Sequence, residues 1–276
     1  MPFMVFFYAS LLCFLVGWYS KESKKRYFFF SGMLCGISML VRPIAVGAGL
    51  FMAILMFFRR RCDLQKKFVF ALLIVLGNLI VVLPWEIWMY RETHEAGLLC
   101  HGRDAISMAD GLTFAMNFEG FRKGSPVPQD VRKFMEEFAP SISFSITTKQ
   151  VMRLVLAEFE KHPLTVIKLF AIKAVRSWYG TNSNRYELII IIIQAFYLAL
   201  MVIASLRYWK SRKDCRFPLV IGLVLLMYFW GMTVSVLSIV RYMVPVLGLM
   251  FVFFPALKPP DVFPPRRPPR ANLPPA

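Results

Sequence analysis

Acidic residues are scarce in this chain. It carries 16 Asp and Glu against 33 Lys and Arg, with only three histidines. It contains no G-x-x-x-x-G-K-[ST], no G-x-S-x-G, no H-E-x-x-H and no C-x-x-C. These absences exclude the common phosphate-cradling, serine-nucleophile, zinc-hydrolase and dithiol chemistries. Five cysteines, Cys13, Cys35, Cys62, Cys100 and Cys215, are spread along the chain. Only Cys100 is expected on the outer side of a membrane, which excludes a disulfide framework. The first residues lack both the basic region and the small-residue cleavage site of a signal peptide.

Apolar sequence is plentiful. The 276 residues are 58% hydrophobic with a mean hydropathy of +0.57, against about 45–50% for soluble domains. The composition predicts an all-α polytopic membrane protein. The net charge of +17 does not point to nucleic acid, because it sits in short loops rather than on one soluble surface. Basic clusters stand wherever an apolar run stops: Lys21, Lys24, Lys25, Arg26; Arg59, Arg60, Arg61, Lys66, Lys67; Arg207, Lys210, Arg212, Lys213, Arg216; and Lys258, Arg266, Arg267, Arg270. Those four segments hold 18 Lys and Arg against four acids. Short basic loops stay on the cytoplasmic side and attract anionic headgroups. All four clusters are therefore expected on one face, with an even number of crossings between them.

Residues 2–19 form one apolar run of spanning length, since about 20 residues cross the hydrocarbon. Residues 28–58 make a run of 31, bounded by basic clusters and interrupted by Arg42-Pro43. Proline disfavours helix through and before it, so two short helices over 27–41 and 44–58 are expected, hinged at the outer side and shielded by neighbours or by a thinner membrane. Residues 68–88 cross outward, 188–206 return, 218–237 go out and 242–257 come back. The expected total is about seven transmembrane helices, with the N-terminus outside and the C-terminus inside. The expected divisions are N-terminal helices over 1–88, an extracytoplasmic segment over 89–187, C-terminal helices over 188–257 and a tail over 258–276.

The segment of roughly 100 residues over 89–187 balances 13 Lys and Arg with 11 Asp and Glu. Val151, Leu154, Val155 and Phe159 recur at helical spacing until His162-Pro163 stops that helix. Leu164, Ile167, Phe170, Ala171, Ala174, Val175 and Trp178 then form an apolar stripe, expected opposite Lys168, Lys173 and Arg176. Such a helix lies in the bilayer interface or packs on the rest of its loop. His94 and His101 stand near Glu92, Glu95 and Asp104, so a divalent metal stays open, although no cofactor is certain and no metal ligand is assigned. Residues 109–114 read as a turn into a short helix that Asp110 could cap. The tail holds eight prolines in 19 residues and is expected to be extended.

Three charged residues interrupt or end apolar runs: Arg42, Glu86 and Arg241. Charges there cost several kcal/mol and usually face a cavity or a partner. All three map to the outer ends of their helices, where a lipid phosphate lies. Arginine grips phosphate as a bidentate fork. The bland alternative is that they snorkel to interfacial water or pair with one another.

Gly32-Met33-Leu34-Cys35-Gly36-Ile37-Ser38-Met39-Leu40-Val41-Arg42-Pro43 resembles the G-x-x-x-G-L-x-x-L-x-R-P segment of polytopic glycosyltransferases with the GT-C fold. That superfamily includes protein mannosyltransferases and bacterial lipid A aminoarabinose transferases. Leu83-Pro84-Trp85-Glu86-Ile87-Trp88-Met89-Tyr90 is similar to their P-W-x-x-R-N-Y helix exit, with Trp88 and Met89 in place of its Arg and Asn. Asp110-Gly111-Leu112-Thr113-Phe114 resembles a loop some members carry. Lys161-His162-Pro163-Leu164 is similar to their H-P segment, and Arg241-Tyr242-Met243-Val244-Pro245 to their R-Y-x-x-P turn. The ordered set covers about residues 34–254.

The resemblance implies an inverting transfer of a sugar from a membrane-embedded polyprenyl-phosphate donor to a glycan, lipid or protein acceptor, at the extracytoplasmic face of a bacterial inner membrane. It makes Arg241 and, more weakly, Arg42 the expected contacts of the lipid phosphate. Glu86, Asp110 and Tyr242 are the candidates for the substrate region. In this family a carboxylate in the first outer loop deprotonates or positions the acceptor. Here the first apolar run is followed by the basic loop at Lys21–Arg26, and no acid precedes Glu22. The expectation is the C-terminal portion of such an enzyme, catalytically incomplete, with the catalytic residue unknown. The alternatives are a non-catalytic membrane subunit or remnant, or another membrane polysaccharide protein or transporter. A transporter would show interrupted helices in corresponding halves, and only one interruption, Arg42-Pro43, is present.

Overall fold

The computed structural model describes residues 2–20, 25–59, 62–94, 103–113, 127–138, 147–181, 186–211 and 216–251. The expectations at Glu95, Cys100, His101, Phe114 and the tail over 258–276 lie outside the described residues, as does the side chain of Asp104. Every regular element among the described residues is helical.

Helix α1, Pro2–Tyr19, is the first apolar run with unchanged limits. Helix α2, Lys25–Val41, ends where Pro43 forbids the helical conformation at Arg42, whose φ and ψ of −148° and 116° are extended. A 3-10 turn over Pro43–Ala45 and a left-handed Gly47, φ +87°, then reverse the chain into α3, Ala48–Leu55. Helix α4, Leu64–Thr93, has 30 residues and keeps Pro84 inside it. At 1.5 Å per residue it is about 45 Å long, more than the hydrocarbon alone requires. Helices α5, Arg103–Leu112, α6, Gln129–Phe138, α7, Thr148–Lys161, and α8, Pro163–Arg176, follow. Then come α9, Glu187–Ser211, α10, Arg216–Ser235, a 3-10 turn over Val240–Tyr242, and α11, Val244–Met250.

Four helices, α1, α4, α9 and α10, are long and apolar enough to cross a membrane. Of the seven expected crossings, the three flanked by Arg42-Pro43 or Arg241-Tyr242 are shorter. Helix α2 has 17 residues and α3 eight, and α11 is described over seven, up to the last described residues. Arg42-Pro43 and Gly47 bound α2 and α3 at the end that carries α5–α8.

The spanning bundle is welded by close backbone approach and aromatic stacking. A Cβ on Gly32 would stand 2.1 Å from the Ile74 carbonyl oxygen, and one on Gly77 would stand 2.3 Å from that of Phe29. The absence of side chains there lets α2 and α4 touch, the usual role of small residues between membrane helices. Ser10 of α1 and Ser31 of α2 donate to each other's carbonyls at 2.8 and 3.0 Å. Phe3, Phe7 and Phe229 join α1 to α10, while Phe14, Phe28 and Phe70 join α1, α2 and α4.

Helices α5–α8 bury a smaller apolar cluster of their own: Ala105, Ala109, Leu112, Val131, Phe134, Met135, Phe138, Val151 and Leu169. Thr147 and Gln150 form a reciprocal capping box at the start of α7. His162-Pro163 separates α7 from α8 as expected. Two expectations are corrected here. Asp110 does not cap a following helix but lies inside α5. Lys173 does not join the exposed cationic face of α8 but is fully buried. The buried face of α8 is Thr165, Val166, Leu169 and Lys173. Leu164, Ile167 and Val175 of the apolar stripe are 54–69% exposed.

Candidate anion site at the helix ends

The two Arg-bearing helix ends meet on one ring. Arg42 is held off the axis of α2 by its extended backbone, and its guanidinium carbon lies 5.6 Å from the centre of the Tyr242 ring. Arg241 lies 5.4 Å from the same ring. The two guanidinium carbons are therefore no more than about 11 Å apart. Each cation is attracted to the ring quadrupole, by about 0.5–1 kcal/mol where exposed. The two cations repel each other, and an anion between them would relieve that repulsion. Arg241 is exposed and Arg42 half-buried, so both remain open to a ligand.

Rigid elements set this geometry. The Tyr228 hydroxyl of α10 donates to the Ile44 carbonyl at 3.3 Å and also to that of Val46, pinning the turn after Arg42. The Val240 amide donates to the Gly180 carbonyl at 3.0 Å, pinning the turn that carries Arg241 and Tyr242 to the end of α8. The Trp230 indole donates to the Ala174 carbonyl at 3.0 Å and packs on Trp178. Arg176 pairs with Glu187 at 3.2 Å, and Glu187 also accepts the Thr181 amide at 3.1 Å, tying α8 to the start of α9.

The structure thus joins three of the five sequence-derived candidates: Arg42, Arg241 and Tyr242. Glu86 is half-buried on α4, two turns before that helix ends. Asp110 sits in the separate cluster of α5, where burial raises its carboxyl above the usual range. Asp110 forms no ion pair among the described residues. No group of three or more His, Cys, Asp and Glu suited to a metal occurs among the described residues.

Lys173 is the residue that sequence reasoning misplaced. Its ammonium donates to the Val236 carbonyl at 3.2 Å and stands 5.3 Å from the centre of the Phe170 ring. Burial pushes it down to about 7. A Cβ on Gly111 would meet the same Val236 oxygen, at 1.6 Å. Helices α5 and α8 therefore converge on the peptide that leads from α10 to Arg241. The only sequence hint is the four-residue spacing of Thr165, Leu169 and Lys173. No family model matches this chain, and no curated protein or solved structure matches it either.

Proposed function

We propose that this chain belongs to a GT-C-type membrane glycosyltransferase. The enzyme would move a sugar from a polyprenyl-phosphate donor to a glycan, lipid or protein acceptor. The convergence of Arg42 and Arg241 on Tyr242 carries this reading. Two forked cations at the end of membrane helices suit a phosphate monoester or diester whose tail stays among the helices. In such a reaction the lipid phosphate is the leaving group, and the arginines stabilise the charge it gains. The basic loops favour a seven-span arrangement in which α2, α3 and α11 complete the bundle. They also favour an extracytoplasmic position for α5–α8, in a bacterial inner membrane.

A non-catalytic subunit that binds the same carrier is the second reading. Both readings share the phosphate site and divide on turnover. The test uses the chain in nanodiscs, with a polyprenyl phosphate titrated by native mass spectrometry. Arg241→Ala and Arg42→Ala should each weaken binding about tenfold, the loss of one charge-assisted contact. Unchanged binding in both would end the phosphate reading. In the complete enzyme, Arg241→Ala should also abolish most transfer while leaving the protein in the membrane. Binding with no transfer in any assembly would select the subunit.

A further inference from the structure

At the opposite, basic end of the bundle one arginine is buried without a counter-ion among the described residues. Arg59 follows the 3-10 turn over Met56–Phe58 and is only 8% exposed. Its Nη2 donates to the Trp18 carbonyl at 2.7 Å. The guanidinium carbon lies 5.6 Å from the Trp18 ring and 6.0 Å from the Phe70 ring. Nη1 is enclosed and has no hydrogen-bond partner.

This arrangement is incomplete as it stands. A guanidinium keeps its charge inside proteins and carries five donors. Burying it uncompensated is costly, and two ring faces with one carbonyl recover only part of that cost. The nearest described acid in the chain, Asp63, is already paired with Lys66 at 3.0 Å. No ion pair with Arg59 occurs among the described residues. An anion from outside the described fold is needed.

The surroundings say which kind. Lys67 donates to the Phe57 carbonyl at 3.1 Å, two residues from Arg59. Lys25, Arg26 and Lys66 stand at the same end of the bundle. Beside these cations Phe57, Phe58, Leu64 and Phe68 are 44–70% exposed. Exposed apolar rings next to a cationic floor match a ligand with an anionic head and an acyl body. They do not match a free ion, which would gain nothing from those rings. We infer that Arg59 seats the phosphate of an anionic phospholipid, with Trp18 and Phe70 as its walls. The site lies at the far end of the bundle from Tyr242 and does not depend on the transferase reading.

The test takes the purified full chain in detergent, with phosphatidylglycerol, phosphatidylcholine and inorganic phosphate as probes. Native mass spectrometry and thermal melts are the readouts. Phosphatidylglycerol should bind at least about tenfold more tightly than phosphatidylcholine and should raise the melting temperature. Arg59→Met should lose that preference. Because Met removes the buried charge and keeps the volume, the lipid-free variant should melt no lower than the lipid-free wild type. Arg59→Lys should keep part of the preference. Equal preference in wild type and Arg59→Met would overturn the inference. So would inorganic phosphate reproducing the whole shift, since the acyl body would then be irrelevant. Should Arg59→Met not fold, the wild-type comparison of the three probes decides alone: no preference for phosphatidylglycerol rejects the site.

Discussion

Lys173 of α8 donates to the carbonyl of Val236, just past the end of α10, at 3.2 Å, from a position with no exposed surface. This contact fastens the α5–α8 cluster to the spanning bundle at the peptide that leads to Arg241 and Tyr242. It also makes the join sensitive to pH. Burial holds the Lys173 ammonium near 7 in the fold, against 10.5 when solvated. Between those limits the unfolded chain holds a proton that the folded chain has shed, so stability rises with pH across that window. Below about 7 both states are protonated and the full penalty is present. Lys173→Met should remove this dependence. It should stabilise the protein near pH 7 by about 1–3 kcal/mol, the relieved charge outweighing the orphaned carbonyl. Above pH 10 the difference should vanish or reverse. Thermal unfolding in detergent from pH 6 to pH 10 reads both curves; parallel curves would mean that Lys173 is not buried as described.

Gly111 meets the same carbonyl beside Lys173, whose Nζ would stand 3.2 Å from a β-carbon there. Any β-carbon there collides with the Val236 oxygen at 1.6 Å, and backbone rather than a flexible side chain must yield. Gly111→Ala should cost about 1–3 kcal/mol or more and loosen α5 from the end of α10. Limited proteolysis should then cut near α5 faster than in the wild type. Cleavage in the spanning helices should stay unchanged. If the variant and the wild type are cut alike, the contact is not part of the folded protein.

The features legible in the sequence are those with local causes. The limits of α1 follow from an uninterrupted apolar run, and the breaks at Arg42 and His162 follow from the prolines after them. The meeting of Arg42 and Arg241 was reachable because charges inside apolar runs must share one boundary. The left-handed turn at Gly47 was not visible, because Tyr228 holds the preceding carbonyls from across the bundle on α10. Pro84 was expected near a helix exit, yet α4 continues for nine more residues. The burial of Lys173 required knowing that Gly111 and Val236, distant in sequence, would enclose it. A cation every few residues on an amphipathic helix reads as a solvated face until a partner covers it.

The side of the membrane that α5–α8 occupy can be read by labelling. The basic clusters predict that Lys66 and Arg216 face the cytoplasm and that α6 faces outward. Glu137 on α6 is well exposed, with 64% of its side chain accessible, as is Lys66 at 64% on the opposite end of the bundle. With Cys100 replaced by serine to lower background, Glu137→Cys should react with a membrane-impermeant maleimide added to intact cells. Lys66→Cys should react only after the cells are broken. Both positions lie outside the apolar surfaces of the bundle, so neither substitution should disturb packing, and surface changes of this kind stay within about 0.5 kcal/mol. The reverse labelling pattern would place Arg42, Arg241 and Tyr242 on the cytoplasmic side. A polyprenyl-phosphate donor presented extracytoplasmically could not then reach them, and the anion at Arg59 would have to come from the outer leaflet.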